Sequence, residues 1–185
     1  MFAVSSDFIR VFKIGDNINY NLATLKLLYE LSDEDKSRSS ALRKPVIVTI
    51  VSIAEAMLYD FIGRIQSKEH VGTLPRETVL QIRARDYSKL ANLVSGAKKY
   101  DLFEEDEDFY NRIDELRKLR NRVHIQNEKE HFERDEARAF SSDRQRNAEQ
   151  MLETVSKSLT RNHPRNSRAR GFVKAFEFPW EEHFV

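Results

Sequence analysis

The chain has 185 residues, of which 40% are hydrophobic, and it contains no cysteine. This length and composition predict one globular domain with a substantial core. The lack of cysteine excludes disulfides, thiolate catalysis and cysteine-ligated zinc, and it fits a reducing compartment. Lys and Arg total 31 against 30 Asp and Glu, so the net charge is only +1. Any nucleic-acid site must therefore come from local clustering of charge.

Neither a secretion signal nor a membrane span is predicted. The first ten residues, MFAVSSDFIR, lack the basic start and apolar centre of a signal peptide. The longest apolar run, Val46 to Leu58, is too short to cross a bilayer and is interrupted by Thr49, Ser52 and Glu55. We expect a cytoplasmic protein with no membrane partner.

The first third of the chain is predicted to be helical after an ambiguous start. Phe8 to Ile14 suits either a short strand or one helical turn. A first helix is predicted from Asn17 to Leu31, because leucines recur on one side at Leu22, Leu25, Leu28 and Leu31. The polar stretch Ser32 to Ser40 is predicted to be a surface loop.

The segment Lys44 to His70 decides between an all-helical fold and one with a buried strand. The β-branched run Val46 to Ile53 would suit a parallel strand. However, no turn residue separates it from the helix-favouring AEAML, and Pro45 suits a first helical position. A long central helix is the better account. Glu55 would then need either a partner or a polar groove.

Two further helices are predicted before the charged centre of the chain. Pro75 can start the first, and after a break near Asp86 helical spacing resumes through Val94. The acidic run Asp101 to Phe109 precedes another helix, and carboxylates there suit the positive end of its dipole. We therefore interpret this run as capping rather than metal binding.

The last helix has the clearest pattern in the sequence. Behind Ser142 as N-cap, the apolar positions are Ala148, Met151, Leu152, Val155 and Leu159. The charged segment before it, residues 127–140, is predicted to be a loop or a frayed extension, and Pro164 ends the helix. We divide the chain into a helical domain, 1–160, and a tail, 161–185, which either packs back on the domain or pairs with the N-terminal segment as a strand.

The stretch Tyr110 to Ile125 carries the candidate chemistry. As a helix it places Arg117, Asn121 and His124 in a stripe about 60° wide, with Arg120 at the border. An apolar face lies beside the stripe: Ile113, Leu116, Leu119 and Val123. Arginine matches phosphate oxygens and histidine can exchange protons near neutral pH, so the stripe indicates phosphate chemistry. The alternative is a solvated helix edge.

The order of these segments resembles the HEPN superfamily of small helical bundles. The resemblance covers Asn17 to Leu159 and rests on IAEAMLYDFI, SKLANLVSGAKKYDLF and IDELRKLRNRVHI. In that family an arginine precedes a histidine by four to six residues, often with a polar residue after an arginine. Six residues separate Arg117 from His124, whereas Arg120-Asn121 lies only three residues before His124. Which arginine corresponds to the catalytic one is therefore open.

The resemblance implies an all-α bundle of about five helices with short irregular or extended terminal segments. It also implies a metal-independent endoribonuclease, a toxin or host-defence effector, that acts as a homodimer without a cofactor. His124 would move a proton, and Arg117 and Arg120 would hold the phosphate. Asn121 would orient the histidine or a phosphate oxygen.

The competing function is a catalytically inactive helical module that binds RNA or a partner protein, such as an antitoxin. The tail arginines would serve RNA binding, because phosphate contacts depend on local basic density: Arg161, Arg165, Arg168 and Arg170. A solvated linker is the other interpretation of this tail. A Glu-x-x-His spacing ends at His131 but has no second copy, so no metal site is predicted.

Overall fold

The computed structural model describes residues 1–67, 74–123, 133, 135–166 and 172–184. Its elements in chain order are β1 (Phe2–Val4), α1 (Phe12–Glu34), α2 (Ser39–Gln66), α3 (Arg76–Arg83), α4 (Leu90–Lys99), α5 (Glu107–Arg120), α6 (Glu136–Ala139), α7 (Ser142–Asn162) and β2 (Phe176–Phe178). Short 3₁₀ turns precede α2 and follow α5, at Lys36–Arg38 and Asn121–Val123. The predicted all-α fold is confirmed.

The centre of the bundle is α2, which contacts α1, α3, α4, α5 and α7. Its β-branched run is helical, and Ile47, Ile50 and Met57 are fully buried. The helix α2 and the turn before it, Lys36–Gln66, are together long and apolar enough to cross a bilayer. However, 61% of the most apolar 18-residue stretch is buried inside the fold. A core position explains this apolar character, because every neighbouring helix shields part of its circumference.

Two boundary predictions around α2 were wrong. Pro45 does not open the helix but lies inside it, since α2 already begins at Ser39. A proline removes a single backbone hydrogen bond, and the long apolar run that follows outweighs this loss. Ser32 to Ser40 is not an open loop: α1 continues to Glu34, and Asp35 then accepts a hydrogen bond from the Ser37 amide at 3.0 Å. This side-chain cap turns the polar stretch into a compact 3₁₀ turn.

The two ends of the described chain pair as antiparallel strands. The register places Phe2 opposite Phe178 and Val4 opposite Phe176. The rings of Phe2 and Phe178 stack with centroids 5.0 Å apart, which adds an aromatic contact across the strands. The tail therefore pairs with residues 2–4, and its buried Phe176, Phe178 and Trp180 also pack on the helical domain, so both predicted arrangements occur. The ambiguous segment Phe8 to Ile14 divides in two: residues 8–11 form the connection into α1, and α1 itself begins at Phe12.

A buried polar cluster holds this connection, residues 8–11, against α2. Asp60 is fully buried, and its carboxylate accepts hydrogen bonds from the amides of Arg10 at 2.6 Å and Val11 at 2.9 Å. Burial raises the pKa of Asp60, although these two amide donors oppose the rise. One turn further on, Arg64 is 1% exposed and donates to the Phe8 carbonyl at 3.2 Å.

The same connection is held from the other side by the residues that follow α7. Arg165 donates through Nη1 to the carbonyls of Ile9 at 3.2 Å and Arg10 at 3.3 Å. His163 is buried and stacks on Phe61 with ring centroids 4.5 Å apart. Asp60, Arg64 and Arg165 bind the segment 8–11, and His163 stacks on Phe61, the neighbour of Asp60 in α2. We call these four residues the N-terminal clasp.

The last long helix follows its sequence pattern closely. The predicted apolar positions of α7 are all buried: Ala148, Met151, Leu152, Val155 and Leu159. Its N-cap is Ser141 rather than the predicted Ser142; the Ser141 hydroxyl accepts from the Arg144 amide at 3.3 Å. Adjacent serines carry the same capping chemistry, so the sequence favoured neither strongly.

Candidate functional site

The N-terminus of α5 is fixed by the acidic run that precedes it. Asp106 caps the helix by accepting a hydrogen bond from the Phe109 amide at 2.8 Å. Glu107 and Asp108 occupy the first turn, where carboxylates interact favourably with the helix dipole. The capping prediction for this run is confirmed.

The C-terminal end of α5 differs from the prediction. The α-helix ends at Arg120, and the predicted extension to Ile125 is replaced over Asn121–Val123 by a 3₁₀ turn. Ile113, Leu116 and Leu119 are buried as predicted, but Val123 is 51% exposed and was wrongly assigned to the apolar face. Three residues per turn bring residue 122, not residue 123, into line with position 119.

The buried residue in this turn is Arg122, which links α5 to α6. Its Nη2 lies 2.7 Å from Glu136 Oε1, and its Nη1 donates to the Glu133 carbonyl. Lys44 of α2 also lies 2.7 Å from Glu136, and these contacts hold the pKa of the Glu136 carboxyl below its usual range. Arg122 therefore has a structural role that its position in the sequence did not indicate.

Arg117 lies in the last turn of α5 and is fixed by a neighbour on the same helix. Its Nε donates to Asp114 Oδ1 at 2.7 Å, and Lys118 binds the other oxygen of that carboxylate at 2.8 Å. Burial raises the pKa of Asp114, but the two cations outweigh it and the net shift is downward. The Arg117 side chain is 19% exposed. Only its Nε is used in these contacts, which leaves the two Nη groups as donors.

Arg120 connects α5 to the centre of the bundle. Its Nη2 lies 2.8 Å from Glu55 Oε2 on α2, and its side chain is 33% exposed. Arg120 is thus the partner that Glu55 requires within an apolar stretch. The ion pair also fixes the direction of the guanidinium group, whose remaining N–H groups can still bind an anion.

The other predicted site residues occupy different environments. Asn121 is half-buried, and its backbone N–H caps α5 by donating to the Arg117 carbonyl. Arg161 is exposed at the end of α7, whereas Arg165 belongs to the N-terminal clasp. His124, Arg168 and Arg170 lie outside the described residues. The structure therefore brings Arg117, Arg120 and Asn121 together in one turn.

Sequence reasoning missed a second polar cluster, built around two carboxylates on the buried side of α7. Glu149 accepts a hydrogen bond from Gln145 at 3.0 Å, is bonded by the Tyr29 hydroxyl, and lies 3.0 Å from the His183 ring. Burial raises the pKa of Tyr29, and the Glu149 charge raises it further. The signal in the sequence was an acidic residue beside the apolar stripe of α7.

The second carboxylate, Glu153, is also fully buried and binds the end of the tail. It accepts hydrogen bonds at 3.0 Å from the amides of His183 and Phe184. Lys157, one helical turn later, lies 2.8 Å from Glu153 and so compensates its charge. These contacts attach the tail to α7. Within the described ranges, no group of three or more His, Asp or Glu side chains could hold a metal ion.

The sequence matches no family model, no curated protein and no solved structure. The HEPN resemblance therefore stays a prediction from the residues.

Proposed function

We propose that the protein is a HEPN-type, metal-independent endoribonuclease. The observation that supports this most directly is the end of α5, where Arg117 and Arg120 are each held by a carboxylate. His124 follows the turn within four residues of Arg120 in the sequence. Two oriented guanidinium groups, followed closely in the sequence by a histidine, are suited to phosphate binding and proton transfer.

The proposed reaction begins with attack by the ribose 2′-OH on the neighbouring phosphorus. His124 takes the 2′-OH proton as the new P–O bond forms, and the bond from phosphorus to the 5′ oxygen breaks. The products are a 2′,3′-cyclic phosphate and a 5′-OH that takes up a proton. Arg117 and Arg120 stabilise the negative charge on the phosphate oxygens, and Asn121 orients the phosphate or His124.

A homodimer would supply both proton transfers. One histidine cannot easily accept a proton from the 2′-OH and donate one to the leaving oxygen at the same time, whereas two-fold pairing brings a second copy. Ile113 and Leu116 are buried in the core of the monomer and are not available for this contact. The dimer would therefore be built from exposed side chains around the end of α5. We place this activity in a cytoplasmic toxin or defence effector with a protein antidote.

The first prediction is that purified protein cleaves RNA in the presence of a chelator and leaves cyclic phosphate ends. His124→Ala and Arg117→Ala should each lower cleavage at least about 100-fold, because each removes a group that acts in the transition state. Denaturing gel electrophoresis of a labelled RNA measures the effect. Arg146→Ala, an exposed arginine of α7, is the matched control.

Undiminished cleavage by folded His124→Ala protein would contradict this mechanism. If Arg120→Ala is more damaging than Arg117→Ala, the assignment of the two arginines must be exchanged. If two chains share the site, adding His124→Ala protein to the parent should lower cleavage by more than dilution alone, because a mixed dimer keeps only one of the two histidines. Full activity of a monomer in sedimentation would exclude the shared site.

One observation favours the alternative, a catalytically inactive module that binds RNA or a partner protein. Both arginines at the end of α5 are already paired with carboxylates, so an incoming phosphate must share them with Asp114 and Glu55. RNA binding without cleavage in the same assay would support this alternative.

A further inference from the structure

A groove runs between α5 and α7, on a different flank of α5 from Arg117. It consists of two adjoining cavities of about 240 and 380 Å³, and Arg112 and Asn147 line both. At 100° per residue, Arg112 and Arg117 project from α5 about 140° apart. The α5–α7 groove therefore lies on a different side of α5 from Arg117, and none of Arg117, Arg120 and Asn121 lines it.

The walls of the α5–α7 groove carry an excess of positive charge. Among the described lining residues the basic ones are Arg112, Lys118, Arg122, Arg144, Lys157 and Arg161. The acidic ones are Glu105, Glu115 and Glu133. In a chain with a net charge of only +1, this is the local clustering that a nucleic-acid site requires.

Two of these cations are available to a ligand. Arg112 and Arg161 are exposed, and neither makes an ion pair within the described part of the chain. Arg161 donates through Nε to Asn162 at 3.1 Å, which leaves its two Nη groups for a ligand. The others are occupied: Arg144, for example, donates to the Ala139 carbonyl at 2.9 Å. Burial raises the pKa of Glu105, whereas the charges of Arg112 and Arg161 oppose this. The guanidinium groups of Arg112, on α5, and Arg161, on α7, thus both act on the Glu105 carboxylate.

The α7 wall also offers neutral hydrogen-bonding groups along its length. Asn147, Gln150 and Thr154 recur at helical spacing and line the groove. From Asn147 to Arg161 the wall extends about 21 Å, since each helical residue rises 1.5 Å. This length suits an extended chain of several phosphates better than one small anion.

An exposed aromatic ring lies in the same groove. Phe184 lines the larger cavity and is 47% exposed. Its backbone is fixed on both sides, because its amide donates to Glu153 at 3.0 Å and its carbonyl accepts from Lys157. A basic groove with a fixed aromatic ring is the arrangement on which unpaired bases stack.

We propose that the α5–α7 groove binds single-stranded nucleic acid, with Arg112 and Arg161 on its phosphates and Phe184 stacked on a base. A duplex is disfavoured because its bases are already stacked on one another. The inference does not depend on cleavage, because none of the groups assigned to the reaction is used.

The test is fluorescence anisotropy of the full-length protein with labelled oligo-U and oligo-dT of equal length, in chelator. Oligo-dT lacks the 2′-OH, so its binding is measured independently of the proposed nuclease. We expect Arg112→Gln/Arg161→Gln to bind about tenfold or more weakly. The slope of log affinity against log salt should fall by about 0.7 for each phosphate that the variant no longer binds. Phe184→Ala should weaken binding about fivefold or more.

Arg146→Gln is the control for a non-specific effect of charge, because it removes one positive charge from an exposed position of α7 outside the groove. It should keep the parent affinity within about twofold. The proposal is overturned if the parent binds neither oligonucleotide, if the double variant keeps the parent affinity, or if Arg146→Gln weakens binding as much. Equal binding of a duplex would exclude the stacking, and equal competition by an acidic peptide would exclude nucleic acid as the specific ligand.

Discussion

The N-terminal clasp and the α5–α7 groove use the same side chain in opposite ways. In the clasp, Arg64 is buried and donates to a backbone carbonyl, while Arg165 bridges two others. In the groove, Arg112 and Arg161 are exposed and make no ion pair within the described residues. A buried guanidinium must satisfy its donors inside the fold, whereas an exposed one keeps them for a ligand. In these two regions, burial separates the guanidinium groups that hold the fold together from those that a ligand can reach.

The largest effect should come from removing the acid of the clasp. Asp60→Ala leaves the backbone amides of Arg10 and Val11 without their acceptor and removes a negative charge that interacts with Arg64. We expect the free energy of unfolding to fall by about 3 kcal/mol or more. Urea unfolding followed by circular dichroism measures it.

Asp16→Ala is the control for this change, because Asp16 is exposed and, among the described residues, its carboxylate pairs with Lys13 on the same helix alone. It should alter the free energy of unfolding by less than about 0.5 kcal/mol. Equal losses of stability for the two variants would show that the clasp does not stabilise the fold, and the comparison between the two regions would fail.

The clasp should also make stability depend on pH through His163. Burial lowers the pKa of His163 to about 4, from an ordinary value of 6.5. Between pH 6.5 and 4 the unfolded chain binds a proton that the folded chain does not. The free energy of unfolding is therefore highest above pH 6.5 and falls by up to about 3 kcal/mol as the pH approaches 4.

His163→Phe keeps a ring against Phe61 but cannot titrate, so its stability should fall less steeply over the same pH range. The difference between parent and variant isolates the histidine from the carboxylates, including Asp60, whose raised pKa acts in the opposite direction. Parallel curves for the two proteins would mean that His163 is not responsible.

The smallest effect is expected at the end of α5, where the charged side chains are less buried than in the clasp and less exposed than in the groove. Arg120 and Glu55 form an ion pair at 2.8 Å, but both side chains are partly exposed. A double-mutant cycle with Arg120→Gln and Glu55→Gln should give a coupling free energy of about 1 kcal/mol or less. Coupling above about 3 kcal/mol would place this pair with the clasp and make Arg120 a structural residue.

The helical framework could be predicted from the sequence because it depends on local patterns. The apolar spacing of α7 and the acidic cap of α5 are both visible within a few residues. The β-branched run of α2 was also resolved correctly, since the absence of a turn residue after Ile53 is a local signal. The ends of the helices were predicted less accurately: for α7, Ser141 and Ser142 can both serve as an N-cap, and the prediction chose the wrong one.

The interactions that fix the site could not be predicted, because their partners are distant in sequence. Nothing near Arg120 indicates that Glu55, on another helix, binds it. Because the α-helix changes to a 3₁₀ turn at Asn121, Arg122 is buried in the place predicted for Val123, and Val123 is exposed. No glycine or proline in the sequence marks this change. Asp60 was visible as an acid within an apolar run, but its acceptor role depends on the segment 8–11 folding back on it.

The pairing of β1 with β2 has a consequence for how the chain folds. It joins residues 2–4 to residues 176–178, so this pairing encloses nearly the whole helical bundle and has a high loop-closure cost. Trp180, the single tryptophan of the chain, packs beside this junction against Phe178 and Tyr29, with centroids 5.2 and 5.9 Å away. Tryptophan fluorescence should therefore report the joining of the chain ends, separately from circular dichroism, which follows the helices.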